Sequence, residues 1–231
     1  MKTLFNNKPT FIISMFCLVA ILISSCKKND DTYEPVVYGD ANMRVTNTAS
    51  GSNAQDFYQG ETKLSTTAVA YAETSPLIKV KAGNTIISFK NAGGTSATAS
   101  LNVGLETNGT YTVFYYTNLA GTGLITGAGD DTVAPASGKV KVRFANFGAA
   151  LNNTLNINVT GGASVLTGLG FGNITNGYAT LDAGAGLDFT VLSSGVTGNI
   201  PGTNFVSGKI YTIWFDATTS TTANFHIIQQ N

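Results

Sequence analysis

Tyr111-Thr112-Val113-Phe114-Tyr115 and Tyr211-Thr212-Ile213-Trp214-Phe215 are two versions of one segment. β-Branched and aromatic residues dominate both, and such side chains fit a pleated, half-buried surface. In the second version Tyr211, Ile213 and Phe215 fall on one face of a strand, with Ile210, Thr212 and Trp214 on the other. Working outward from these segments, further landmarks recur in the same order. Arg44 within Met43-Arg44-Val45-Thr46-Asn47 answers Arg143 within Val142-Arg143-Phe144-Ala145-Asn146. Asp56 answers Asn156, Leu64 answers Leu166, and Lys81-Ala82-Gly83 answers Asp182-Ala183-Gly184. The spacing stays near about 100 residues, beyond the roughly 20–50-residue period of solenoid repeats, so it reads as tandem domains.

Short segments of the same kind fill both halves. The first half has Met43–Thr48, Leu77–Lys81, Thr85–Phe89, Ala99–Leu105 and Thr110–Thr117. The second has Val140–Ala145, Leu155–Val159, Tyr178–Leu181, Phe189–Leu192, Lys209–Phe215 and Phe225–Ile228. Gly, Asn and Ser punctuate them, and no window of helical length keeps a 3.6-residue period beyond the amino-terminal segment. The expected fold is all-β: two tandem immunoglobulin-like β-sandwich domains, 41–127 and 138–231, joined by a linker over 128–137. Gly109-Thr110-Tyr111 and Gly208-Lys209-Ile210-Tyr211 read either as the tyrosine corner of that fold or as an ordinary Tyr opening a core strand.

Residues 1–25 read as a signal peptide. Lys2 and Lys8 form a basic start, and the apolar run Phe11–Ile23 is shorter than the about 20 residues a membrane-spanning helix needs. Ile23-Ser24-Ser25-Cys26 resembles the lipobox of bacterial lipoproteins, in which cleavage precedes the Cys and the Cys is acylated. Cys26 is therefore the expected lipidation site. Cys17 leaves with the signal peptide, and no disulfide is expected. Several acyl chains on one Cys, at about 0.8 kcal/mol per buried CH₂, anchor durably. Residues 26–40 form a polar tether. Its Asp30, Asp31 and Glu34 read either as an export signal toward the outer face or as a solvated linker.

Charge narrows the function classes. There are 13 basic and 13 acidic residues, a single His and two Cys. That balance offers no basic face for nucleic acid and no His/Cys set for a transition metal. From Phe144 to Asn231 only Asp182, Asp188, Lys209 and Asp216 are charged, so the second half must present Thr, Asn, Ser and Gly. Such a surface suits a glycan or protein partner, or a domain that merely stays soluble.

The residues also resemble the domain of unknown function 4397 family of bacterial surface and secreted proteins. The opening strands with Arg44 or Arg143 carry the likeness, as do Asp56-Phe57-Tyr58, the Ala-Gly turns and the closing Gly…Tyr-Thr-Val or Gly…Tyr-Thr-Ile strands. The junction Asp130-Asp131…Pro135…Gly138-Lys139-Val140-Lys141-Val142-Arg143-Phe144 fits too. The likeness covers about 41–231. Where the family often has His-Ala-Ser-Pro-Asp, this chain has Thr48-Ala49-Ser50-Gly51 and Phe147-Gly148-Ala149-Ala150. The resemblance implies a lipid-anchored or secreted β domain and no particular reaction.

Several residues invite chemistry. His226 is the only imidazole available as a base, but no Gly-x-Ser-x-Gly elbow accompanies it, so it reads as a strand residue. Asp182 with Asp188 is a candidate carboxylate pair for glycan hydrolysis, and also ordinary turn chemistry. Asp130 and Asp131 are oxygen donors for Ca²⁺ without the surrounding loop of a calcium site. Gly168-Leu169-Gly170-Phe171-Gly172 looks like a phosphate-loop fragment, but no helix follows, so no nucleotide is expected. Asp131-Thr132-Val133 resembles a bacterial O-glycosylation acceptor triplet, with a plain turn as the other reading. Tyr111, Phe114, Tyr115, Tyr116, Trp214 and Phe215 would stack sugars if exposed, and are expected to face a core instead.

The function expected from sequence is a non-enzymatic, lipid-anchored cell-envelope protein of the outer membrane and cell surface. It requires no cofactor and binds or adheres to a glycan or protein. The alternatives are a structural envelope component and a carboxylate-based glycan hydrolase.

Overall fold

Alternating side chains turn the repeated segments into strands, and the computed structural model describes them over residues 38–151 and 153–231. All described residues belong to one unit, Tyr38–Asn231. The signal peptide, Cys17, Cys26 and the tether up to Val37 lie outside the described residues.

The first half supplies β1 (Asp40–Asn47), β2 (Gln55–Gln59), β3 (Thr62–Lys63), β4 (Ile78–Lys81), β5 (Gly83–Asn91), β6 (Ala97–Leu105), β7 (Thr110–Thr117) and β8 (Gly123–Gly129). The second supplies β9 (Lys139–Asn146), β10 (Leu155–Val159), β11 (Ser164–Leu169), β12 (Ala179–Asp182), β13 (Leu187–Val191), β14 (Thr197–Ile200), β15 (Ile210–Asp216) and β16 (Asn224–Gln229). The first sandwich packs sheet β4-β1-β7-β8 on sheet β3-β2-β5-β6. The second packs β12-β9-β15-β16 on β11-β10-β13-β14, the same order strand for strand. In each, the first strand runs parallel to the seventh: β1 with β7, and β9 with β15. The all-β, double-sandwich architecture is as expected. Its connectivity differs from the ABED and CFG sheets of an immunoglobulin constant domain, because the opening strand here sits between the fourth and the seventh.

Each sandwich has its own core. Met43, Val45, Phe57, Ile87, Phe89 and Tyr115 fill the first; Val142, Phe144, Ile157, Phe189, Ile213 and Phe215 fill the second. The ring pairs Phe89–Tyr115 at 5.4 Å and Phe189–Phe215 at 5.0 Å occupy corresponding places. Both Tyr corners close: the Tyr111 hydroxyl accepts the Glu106 N–H at 2.8 Å, and the Tyr211 hydroxyl accepts the Val206 N–H at 3.0 Å. A buried Asn ends each opening strand. Asn47 accepts from the Ala49 N–H and donates to the Val69 carbonyl, while Asn146 accepts from the Gly148 N–H and donates to the Leu169 carbonyl. These bonds satisfy buried backbone groups that would otherwise cost about 1–3 kcal/mol each.

Strands β8 and β14 carry little apolar signal because close contact demands glycine in each. A Cβ on Gly127 would stand 2.9 Å from the Thr112 carbonyl oxygen, and one on Gly198 would meet the Phe189 ring at 2.1 Å.

Candidate functional site

Strands β7 and β15 are buried on both faces. Tyr211, Ile213 and Phe215 point into their own core, whereas Trp214 joins Phe114, Tyr116, Ala145, Phe147 and Ile228 in a third apolar cluster. That cluster lies between the sandwiches. The sheet containing β1 and β7 and the sheet containing β9 and β15 therefore stand back to back. Phe147 packs on Phe114 at 4.9 Å and on Tyr116 at 5.0 Å, and Phe171 meets Tyr116 edge-on at 5.6 Å. Each fully buried aromatic contributes about 1.5–3 kcal/mol relative to exposure.

Polar groups clamp the junction reciprocally. Arg143 Nη1 donates to the Gly129 carbonyl at 2.9 Å, and Arg44 Nη1 donates to the Gln229 carbonyl at 3.1 Å. Gly129 and Gln229 hold corresponding register positions, opposite Tyr111 and Tyr211. Each opening strand thus reaches across to the end of the other sandwich's last strand. The second Nη differs between them: Arg143 meets the Asp130 carboxylate at 2.7 Å, whereas Arg44 meets the Gln230 carbonyl at 2.9 Å. Asp130 also accepts from the Thr112 hydroxyl and the Gln230 amide. Arg143 lies over the Tyr178 ring.

The candidates for chemistry fall into place around this junction. His226 stacks on Trp214 at 3.8 Å, and its Nε2 stands 3.3 Å from Asp216. Tyr71 of the first sandwich donates to the same carboxylate. Burial raises the Asp216 pKa, but hydrogen bonds from His226, Tyr71 and Asn224 outweigh it and hold the group below the ordinary range. Burial and that carboxylate push the Tyr71 phenol up to about 12. The Tyr71–Asp216 bond is thus a strut between the sandwiches, and the His226–Asp216 contact braces it from within the second. Asp182 pairs with Lys139 at 2.6 Å, while Asp188 accepts from Asn199 and Thr160. They belong to different sheets and share no partner, so the structure does not bring them together as an acid–base pair. Asp130 is saturated by Arg143, Thr112 and Gln230; Asp131 is engaged by Lys141 and the Val133 N–H, which together hold its pKa down. Among the described residues no three His, Cys, Asp or Glu side chains group as metal ligands. Gly168 and Leu169 belong to β11, and the following turn brings Phe171 and Gly172 against Tyr116. Thr132 is exposed. Tyr115 and Phe215 are core residues, and Phe114, Tyr116 and Trp214 belong to the junction, so none forms an open sugar platform.

Sequence reading identified Arg44 and Arg143 as landmarks and missed their task. The available signal was a charged residue flanked by apolar ones at the same place in both opening strands.

The junction also sets the two sandwiches side by side with corresponding ends together. Tyr71 and Tyr116, near the ends of β1 and β7, meet Asp216 and Phe147, near the ends of β15 and β9. At the opposite end, Arg44 meets Gln229 and Gln230. That second end, the near pole, is where the described chain begins at Tyr38. It holds Asp40, Glu61, Lys79, Lys81, Glu106, Lys139, Asp182 and Lys209. The far pole is closed by the connections 48–54, 92–96, 118–122, 147–154, 192–196 and 217–223. Not one of these contains Asp, Glu, Lys or Arg. Among the described residues, charge in the far half is confined to strand residues and to Glu73 in the long β3–β4 excursion, whose carboxylate accepts the Ala70 N–H.

Residues 41–153 match the family model described as Domain of unknown function (DUF4397). The chain belongs to that family over this segment. The match covers the first sandwich, the connection, β9 and the turn after it. No curated protein matches the sequence. A solved chain from Bacteroides uniformis, whose own description proposes a cell-adhesion role, is similar at 13% identity with a TM-score of 0.26, over 84% of this chain and 99% of that one. Among the described residues no helix is long and apolar enough to cross a membrane.

Proposed function

We propose that this DUF4397 protein is a non-enzymatic, lipid-anchored cell-envelope protein that uses its far pole for binding or adhesion. The observation that carries this reading is the division of charge between the poles. Uncharged hydroxyl and amide side chains crowd the end opposite Tyr38, where an anchor at Cys26 would leave them facing outward. Elsewhere the titratable groups most suggestive of catalysis serve as struts or salt links. Such groups hold geometry; they leave no free acid, base or nucleophile beside one another.

Two experiments test the reading. Labelled palmitate is expected to enter the wild-type chain and not Cys26→Ser, which also leaves the membrane fraction; label retained in the variant contradicts the anchor. Charges added at the far pole, Leu119→Asp with Ser220→Asp, are expected to abolish attachment of protein-coated beads to cell surfaces. Reversal of near-pole charge at Lys79→Glu is expected to leave attachment intact. The opposite pattern contradicts the assignment of the face.

A further inference from the structure

We infer that a cleft in the far pole of the first sandwich is a binding site for an uncharged sugar residue. This rests on the far-pole reading above and deepens it. The cleft has a volume of about 540 Å³, within the roughly 300–1,000 Å³ of small-ligand sites. Two connections and the ends of β5, β6, β7 and β8 wall it. Ser52, Asn53, Asn91, Thr98, Thr117 and Tyr115 give it its chemistry.

Three features select the ligand class. The wall contains no charged side chain. An ionic ligand would lose hydration there without gaining a counter-ion, whereas neutral hydroxyls exchange water for Ser, Thr and Asn partners at little cost. The wall is also preorganised. Gln55, fully buried, donates to the Asn91 side-chain oxygen and the Asn53 carbonyl at 2.8 Å each, and accepts from the Thr98 hydroxyl at 2.7 Å. This fixes Asn91 by its oxygen and leaves its amide N–H groups free, so less ordering is lost on binding. Finally, the floor is Tyr115. Its ring is held by Phe89, while its hydroxyl lies toward Gly123, which lines the same wall. The buried ring offers no stacking face; its polar tip supplies one hydrogen-bonding group to a hydroxylated ligand.

The corresponding place in the second sandwich is filled. Phe215 replaces Tyr115, and the 3₁₀ turn Ala149–Leu151 seats Leu151 in the core at 1% exposure. A site is therefore assigned to the first sandwich alone.

The test presents the full chain to a printed panel of oligosaccharides with neutral, sialylated and sulfated termini. Neutral members are expected to bind and charged ones not. Asn53→Trp fills the cleft from an exposed loop position and is expected to abolish binding. Tyr115→Phe removes one hydrogen-bonding group and is expected to weaken it about five- to tenfold. Lys79→Glu at the near pole is expected to change nothing. Circular dichroism of each variant verifies folding. Neutral binding that survives in folded Asn53→Trp overturns the cleft and leaves the far-pole reading standing. Selective binding of charged members, or of none while the beads still attach to cells, overturns the sugar assignment. Loss of both panel binding and cell attachment overturns the two readings together.

Discussion

The two sandwiches agree in strand order, in their Tyr corners, in their buried Asn hinges and in the core pairs Phe89–Tyr115 and Phe189–Phe215. They part at the far pole. The first keeps a polar cleft at Tyr115; in the second the corresponding connection buries Leu151 in the core that holds Phe215. Connectivity and core tolerate little change because every inward residue meets several others. Pole connections carry few such duties, so they are free to differ, and that is where binding chemistry is found.

The junction offers the sharpest break in the likeness. Arg143 and Arg44 make equivalent bonds to backbone, but only Arg143 is closely paired with Asp130, both side chains being at most 2% exposed. Arg143→Ala leaves a buried carboxylate uncompensated and is expected to cost about 3–5 kcal/mol in denaturant unfolding. Arg44→Ala loses bonds to carbonyls and is expected to cost about 1–3 kcal/mol. Equal losses would show that the reciprocal clamp is symmetric in energy as well as in shape. Leu151→Ala, which unplugs the second pole, is expected to cost about 2–5 kcal/mol with a cavity as its cause.

A smaller effect distinguishes the floors. Phe215→Tyr buries a hydroxyl among apolar neighbours and is expected to cost about 1–3 kcal/mol. Tyr115→Phe removes a hydroxyl open to the cleft and is expected to stay within about 0.5 kcal/mol of wild type. Matching values for the two swaps would contradict the open-versus-plugged distinction.

Acid separates the struts. The Asp216 pKa is depressed in the folded chain, so its contribution is present above the unfolded carboxylate value of about 4 and is lost as pH falls through the lower folded value. Unfolding midpoints of wild type and Asp216→Asn are expected to differ at neutral pH and converge toward pH 2. A constant difference would remove His226, Tyr71 and Asn224 as the cause.

Strand periodicity made the fold legible in particular places. The reading of β7 as Thr110–Thr117 and of β10 as Leu155–Val159 agrees with the structure residue for residue, since β-branched and aromatic side chains alternate there. β8 and β14 were not legible, because their glycines answer to neighbouring backbone and rings rather than to a period of two, and β11 was not because its short apolar run breaks at Gly168, which has a positive φ. The two faces of β15 were legible as faces, but not the burial of both. Trp214 looks the same in sequence whether another sandwich or water covers it. The far pole is legible in hindsight as six uncharged segments, yet only the fold gathers them at one end. His226 was legible as a strand residue, but its contacts with Trp214 and Asp216 were not, nor was the pairing of Asp130 with Arg143, because neighbours distant in sequence decide them.

The claim on which the account most depends is that both sandwiches hold their far poles together as one face. Spin labels at Leu119→Cys and Ser220→Cys, with Cys17 and Cys26 replaced by Ser, report this through their dipolar distance distribution. A single narrow peak, broadened by Arg143→Ala, is the predicted result. A broad distribution in the otherwise unaltered chain would contradict it.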